Sequence, residues 1–227
     1  MKNDSYEVIL SDIICRRARD TDDMFQIAKL IYQTDQYIYP FWFKKNIDKG
    51  INYFADRMKK DGFFFNYNNI YIAYDKDTNK IIGAICAVDK SVNLDYDYTE
   101  DMKIDSNYEF TIKNYILGLI EEVKDNDFIY ISNVCVNPNY RGKKIGTRIL
   151  GHYITQMEKA GWDVFALDCL LHNLRAKNLY HSFGFKEMKE IVGFDGTDHS
   201  TVEVVSFLRK KGNYLPYEFQ NFEKNIK

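Results

Sequence analysis

From Tyr6 to Arg17 apolar and polar side chains alternate loosely, which predicts a first strand. The spacing then changes to three and four: Met24, Ile27, Leu30 and Ile31 predict a helix. Asp20 or Thr21 is expected to cap it, with Asp22 and Asp23 suited to the positive end of its dipole. An aromatic run over 37–43 follows, and Pro40 inside it breaks any continuous helix. A second helix is predicted over Ile47–Lys60, ending near Asp61 and Gly62. Asn69–Tyr74 and Lys80–Val88, joined by Asp75-Lys76-Asp77-Thr78-Asn79, read as a hairpin.

Residues 89–126 interrupt this pattern and read as an insertion. Its first half carries Asp89, Asp95, Asp97, Glu100, Asp101, Asp105 and Glu109 against Lys90 and Lys103, and Tyr108–Lys124 has helical periodicity. Beyond it come a buried strand at Phe128–Val136, a loop at Asn137–Lys144 and a helix at Ile145–Ala160. Trp162–Leu171 predicts a strand, Arg175–Ser182 a helix, and Phe185–Ile191 and Thr201–Leu208 two further strands. Strands alternating with helices indicate an α/β fold. The segment from Arg209 to the end is polar with scattered aromatics and is expected to dock on the surface or fray. The length suggests one large domain or two small ones.

Composition narrows the class. The 227 residues carry 31 Lys+Arg against 33 Asp+Glu, which argues against a general nucleic-acid binder. No stretch is long and apolar enough to predict a membrane span, and the first ten residues do not read as a signal peptide. Cys15, Cys86, Cys135 and Cys169 are widely spaced, three of them in apolar runs, and read as buried free thiols. A cytoplasmic location is the expectation. Aromatic residues make up 16% of the chain, and any that are exposed are compatible with a homodimer.

The most informative segment is Val134-Cys135-Val136-Asn137-Pro138-Asn139-Tyr140-Arg141-Gly142-Lys143-Lys144-Ile145-Gly146-Thr147-Arg148. It reads as a strand, a tight loop and a helix with glycine in its first turn. The first amides of a helix lack internal partners and carry partial positive charge. Gly142 and Gly146 leave the backbone open to an anion, and Arg141, Lys143, Lys144 and Arg148 add positive charge with no acid among them. The pattern suits a phosphate or pyrophosphate. The nucleoside-triphosphate loop is excluded, because Gly146 is followed directly by Thr147, and G-x-G-x-x-G is absent. A glycine turn with solvated charges is the plainer alternative.

With a second segment, Asn173-Leu174-Arg175-Ala176-Lys177-Asn178-Leu179-Tyr180-His181-Ser182-Phe183-Gly184-Phe185, the chain resembles the GNAT superfamily of N-acetyltransferases. The family's acetyl-CoA signature, Arg/Gln-x-x-Gly-x-Gly/Ala, falls on Arg141, Lys144 and Gly146, and its Asn-x-x-Ala, Leu-Tyr and Gly-Phe anchors are all present in the second segment. Lys144 stands where the first glycine is expected; its Cβ limits positive φ, and its charge suits the pyrophosphate or the 3′-phosphate. The resemblance also fits Cys15-Arg16-Arg17-Ala18 followed by Asp22 at the start of the fold. It implies a mixed, mostly antiparallel central sheet of about six to seven strands flanked by helices, with the insertion preceding the central cofactor-binding strand.

It further implies acetyl transfer from acetyl-CoA to a primary amine. Val134, Cys135 and Val136 would pair with the pantetheine arm, the Val134 N–H serving the oxyanion. Arg141, Gly142, Lys143, Lys144, Ile145, Gly146 and Thr147 would hold the pyrophosphate, and Asn173 would meet the arm from the other side. Tyr180 matches the tyrosine that protonates the departing thiolate; a phenol of pKa about 10 can supply a thiolate whose conjugate acid is about 8.5. Asp168, five residues before Asn173, stands where a glutamate acts as base in the branch that acetylates protein amino termini. Being one methylene shorter, it would work through a water or bind the substrate ammonium, and an acid satisfied by a neighbouring strand is an equal alternative. His172 and His199 are the runner-up bases. The 37–43 run and the acidic insertion fall on the acceptor side and would favour a small amine or a peptide amino terminus, with solvated charge and a satellite hydrophobic cluster as the plainer reading. A function of another class, a non-catalytic acyl-CoA-binding module on the same fold, stands as the alternative.

Overall fold

The computed structural model describes residues 8–10, 12–37, 39–40, 43–89, 127–194 and 201–210. Eight strands form one sheet: β1 (Val8–Leu10), β2 (Ile13–Arg17), β3 (Ile70–Asp75), β4 (Ile81–Val88), β5 (Ile129–Val136), β6 (Val164–Leu170), β7 (Lys186–Phe194) and β8 (Thr201–Lys210). Their spatial order is β1-β2-β3-β4-β5-β6-β8-β7. Every pairing is antiparallel except that of β5 with β6. The helices are α1 (Met24–Tyr32), α2 (Ile47–Arg57), α3 (Ile145–Lys159) and α4 (Leu174–Ser182). Among the described residues no helix is long and apolar enough to cross a membrane.

The strand expected over Tyr6–Arg17 is a hairpin of two strands, with Leu10 opposite Ile13. Asp12, a good turn residue, lies in the turn between them, and loose alternation on either side conceals it. The cap of α1 is Asp23, whose side chain accepts from the Gln26 amide, and neither Asp20 nor Thr21 caps it. Asp22 faces away from the helix end because Arg16 holds it by two hydrogen bonds of 2.8 and 2.6 Å. The last strand runs past the expected end at Leu208, and Arg209, counted with the polar tail, is 1% exposed.

Period-two alternation along each strand separates the core into two faces. Ile70, Ile72, Ala84, Cys86 and Tyr130 pack under α1 and α2, whereas Tyr71, Ala73, Ile85, Ile129 and Ile131 pack under α3 and α4. The first face is strongly aromatic: Tyr39 and Phe43 of the 37–43 run join Tyr32, Phe54, Phe63 and Phe65 as core residues. Gly50 lets α2 approach this cluster, for a Cβ there would sit 2.2 Å from the Tyr32 ring. Ile38, Phe41, Trp42, the insertion from 90 to 126, His199 and the tail beyond Lys210 lie outside the described residues. Asp89, grouped with the insertion's acids, is 1% exposed at the end of β4. All four cysteines are buried free thiols.

On the second face His152 of α3 is 1% exposed, stacks on Tyr71 and shares a hydrogen bond between its Nδ1 and the Tyr71 hydroxyl. Burial, with the charge of Lys159, lowers its pKa to about 4. The unfolded chain, with an ordinary histidine near 6.5, therefore binds the proton more readily than the fold does. Stability is expected to be fully present above about pH 6.5 and to fall by about 3 kcal/mol as the pH drops to about 4. Urea unfolding across that range measures it, and His152→Gln should flatten this part of the curve.

Candidate active site

The parallel pairing of β5 with β6 is short: Ile129 opposes Phe165, Tyr130 opposes Ala166, and there it stops. Beyond this point the two strands share no further ladder pairs, which leaves a gap in the sheet's hydrogen bonding. Asn137 donates its amide to the Ile82 carbonyl at 2.8 Å, which fixes the direction of alternation at the end of β5. Cys135, two residues earlier, points its amide the same way, and Val134 and Val136 point theirs toward the gap. A bulge at Ser132 kinks β5 just before these residues, with Cys86 opposite Asn133 and Ala87 opposite Ile131. Val134 to Val136 thus present backbone edge to the gap, as an extended ligand needs. The Cys135 thiol donates to the Ala84 carbonyl at 3.2 Å and burial pushes it up to about 12, so it is a packing residue.

The strand leaves the sheet through a short turn at Pro138–Tyr140, capped by the Asn137 side chain. Gly142 (φ 80) and Lys144 (φ 56) both take the left-handed conformation, and Lys144 begins α3. A non-glycine residue there costs roughly 1–2 kcal/mol. The loop thus takes the left-handed conformation at Lys144 despite its Cβ. No side chain caps α3 and no acid lies in its first turn, so its first amides face outward. A Cβ on Gly146 would meet Val136 and Leu179 at 3.6 and 3.7 Å, ordinary contacts, so internal packing does not demand a glycine. An anion approaching the backbone would. Arg141, Lys143 and Lys144 are exposed beside these amides. Arg148 differs from its sequence reading: Asp12, from the β1–β2 turn, holds it at 2.9 Å.

Two ionisable residues approach the gap from opposite faces. Phe165, Leu167 and Cys169 of β6 pack under α3 and α4, so Asp168 points to the α1–α2 face. It is half-buried and accepts a hydrogen bond from the Tyr130 hydroxyl at 2.9 Å. Tyr180 of α4 lies on the other face, buried, with its ring 6.0 Å from Phe185 and 5.7 Å from Phe207. Burial pushes its pKa up, reinforced by Cys169 on β6 and Cys135 on β5, one thiol from each strand bordering the gap. The phenol is therefore fully protonated at neutral pH. Asn173 is exposed and caps α4, its Oδ1 accepting from the Ala176 amide at 3.2 Å. His172 is exposed in the turn just before it.

Sequence reasoning passed over the polar side chains of β5. Asn133, 6% exposed, donates to the Thr34 hydroxyl at 2.6 Å and to Tyr39 at 3.2 Å, and accepts from Ser132. These contacts pin the segment after α1 to the central strand. Tyr130, Ser132 and Asn133 interrupt an otherwise apolar strand, and that interruption was the available signal.

The fold has known relatives. A family model described as the acetyltransferase (GNAT) family matches residues 24–185. No curated protein matches the chain. Among solved structures, an N-acetyltransferase from Staphylococcus aureus is similar at 22% identity and a TM-score of 0.56, over 86% of this chain and 98% of that one. A mosquito arylalkylamine N-acetyltransferase-like protein is similar at 16% identity and a TM-score of 0.58, over 87% and 99%. A chain of a NatC complex bound to a Gag peptide and CoA is similar at 18% identity and a TM-score of 0.53, over 88% and 98%.

Proposed function

The chain belongs to the GNAT acetyltransferase family, and from that premise we propose that it moves an acetyl group from acetyl-CoA to a primary amine, a small amine or a peptide amino terminus, by direct transfer in a ternary complex. The observation that carries this reading is the gap between β5 and β6, with Asp168 on one face, Tyr180 on the other and the open first turn of α3 just beyond β5. Fold relatives named for an arylalkylamine and for a peptide complex with CoA support both kinds of acceptor.

Bound acetyl-CoA supplies an activated acetyl thioester. Arg141, Lys143 and Lys144, with the backbone of Gly142, Ile145, Gly146 and Thr147, would hold its phosphates. Val134, Cys135 and Val136 would flank the arm as a neighbouring strand, and Asn173 would approach it from α4. Asp168 takes a proton from the acceptor ammonium, directly or through a water, and frees the nitrogen lone pair to attack the carbonyl carbon. The Val134 amide faces the charge that develops on the carbonyl oxygen. As the carbon–sulfur bond breaks, its electron pair goes to sulfur, which takes the Tyr180 proton. The nitrogen's second proton returns to the phenolate, and Asp168 releases the first to solvent.

Thermal shift with acetyl-CoA, followed by thiol release across a panel of amines, tests the proposal. Acceptor-dependent release supports it. Binding with no release for any acceptor would overturn catalysis and leave an acyl-CoA-binding module. Lys144→Gly gives a separate check, because the substitution relieves left-handed strain while removing a charge. Its stability should rise by about 0.5–1 kcal/mol, the gain in the fold exceeding the extra freedom glycine gives the unfolded chain. Its affinity for acetyl-CoA should fall roughly fivefold to tenfold, with a shallower dependence on salt. Melting curves and titrations at two salt concentrations measure both effects.

A further inference from the structure

Asp168 has no cation within ion-pair distance among the described residues, and the Tyr130 hydroxyl at 2.9 Å is its one hydrogen-bond donor among them. The placement follows from the sheet. Tyr130 pairs with Ala166 at the last rung of the ladder, and Asp168 lies two residues further along the same face of β6. Two residues of strand rise about 6.6 Å, which a tyrosine side chain leaning along its strand can span. The small Ala166 side chain opposite leaves the ring room. Tyr130 is 6% exposed in the aromatic core of the α1–α2 face, so its hydroxyl is held by packing. Its partner carboxylate is half-buried and faces the side on which an acceptor would enter.

We infer that Tyr130 is a positioning residue for Asp168: its phenol holds one carboxylate oxygen in place and leaves the other oxygen to bind an acceptor that arrives as a primary ammonium. The inference rests on the reading of Asp168 as the group that takes the acceptor's proton. Chemically the pairing suits that task. A phenol donor orients the carboxylate without bringing the positive charge that an arginine partner would. Among the described residues the carboxylate has no ion-pair partner, and the acceptors favoured are those that arrive protonated at neutral pH. Cys169, next to it on β6, projects to the opposite face, and burial pushes its thiol up to about 11, so it carries no charge there.

The test compares the pH profiles of kcat/KM for the unaltered protein, Tyr130→Phe and Asp168→Asn, measured as thiol release with saturating acetyl-CoA and a primary amine. Tyr130→Phe should raise the KM for the amine about tenfold, because the carboxylate oxygen that meets the ammonium is no longer held in place. Across the profile kcat/KM should drop about tenfold, while kcat at saturating amine and the affinity for acetyl-CoA stay within about threefold. Tyr130→Met also lacks the donor and carries the same expectation if the phenylalanine variant is poorly folded. A superimposable profile in the Tyr130 variants, with the limb lost in Asp168→Asn, overturns the role of Tyr130 and leaves that of Asp168 intact. An acid limb unchanged in Asp168→Asn overturns the reading of Asp168 and this inference with it.

Discussion

Tyr180→Phe is expected to lower kcat by about 10²–10⁴ while acetyl-CoA affinity stays within about twofold. The substitution removes one oxygen and keeps the ring that packs against Phe185 and Phe207. The hydroxyl makes no hydrogen bond among the described residues, so the fold loses no internal partner with it. Stability should accordingly be unchanged or slightly higher. What disappears is the proton for the departing sulfur. Burial holds the phenol protonated across the working range, so no pH between about 6 and 9 should restore the missing step. Thiol release under saturating conditions measures kcat, and a binding titration measures affinity. Near-normal turnover would remove Tyr180 from the reaction. A parallel loss of affinity would make it a binding residue.

The place of Tyr180 on α4 was legible because it sits in a segment whose anchors are close together in sequence. The same holds for the loop after β5: Asn137, Pro138, Gly142 and Gly146 announce a strand, a turn and a helix start from local preferences alone. Tyr130 and Asp168 illustrate what is not legible. Each lies in a strand that reads correctly, but their hydrogen bond depends on the parallel register of β5 and β6, which no local pattern encodes. Asp12 and Arg148 are a second case, an ion pair across 136 positions that follows from a hairpin hidden inside an apparently continuous strand. At α1 the failure was one of competition. Asp20, Thr21, Asp22 and Asp23 are all capable caps, and the contest is decided by Arg16, which draws Asp22 away and leaves Asp23 at the helix end. Lys144 departs from the expected glycine, yet the backbone adopts the left-handed conformation there all the same. The loop is thus retained at an energetic cost rather than reshaped to suit its residue.

Arg209→Met is expected to destabilise the fold by about 3–5 kcal/mol. The guanidinium is 1% exposed and joins three elements: it lies on β8, donates to Glu158 of α3 at 2.6 Å, and donates to the Phe183 carbonyl just past α4 at 2.9 Å. Methionine fills much of the same volume but donates nothing. The Glu158 side chain, 14% exposed, is then left without that partner, and the Phe183 carbonyl loses a donor. The cost arises chiefly from what is left behind, so a second substitution should recover part of it. Arg209→Met combined with Glu158→Gln removes the stranded charge and should be more stable than Arg209→Met alone by about 1–2 kcal/mol. The network is also imperfect as it stands, because Arg209 Nη2 is buried with no hydrogen-bond partner. That orphan lowers the net worth of the pair, though not the penalty for breaking it from one side. Denaturant unfolding of the two variants separates these contributions. Equal losses in both would place the cost in packing against Phe165 rather than in the stranded carboxylate. Because the loop at 141–147 leads into α3 and Tyr180 lies on α4, activity should fall with the folded fraction on warming, while kcat per folded molecule at low temperature stays near that of the unaltered protein.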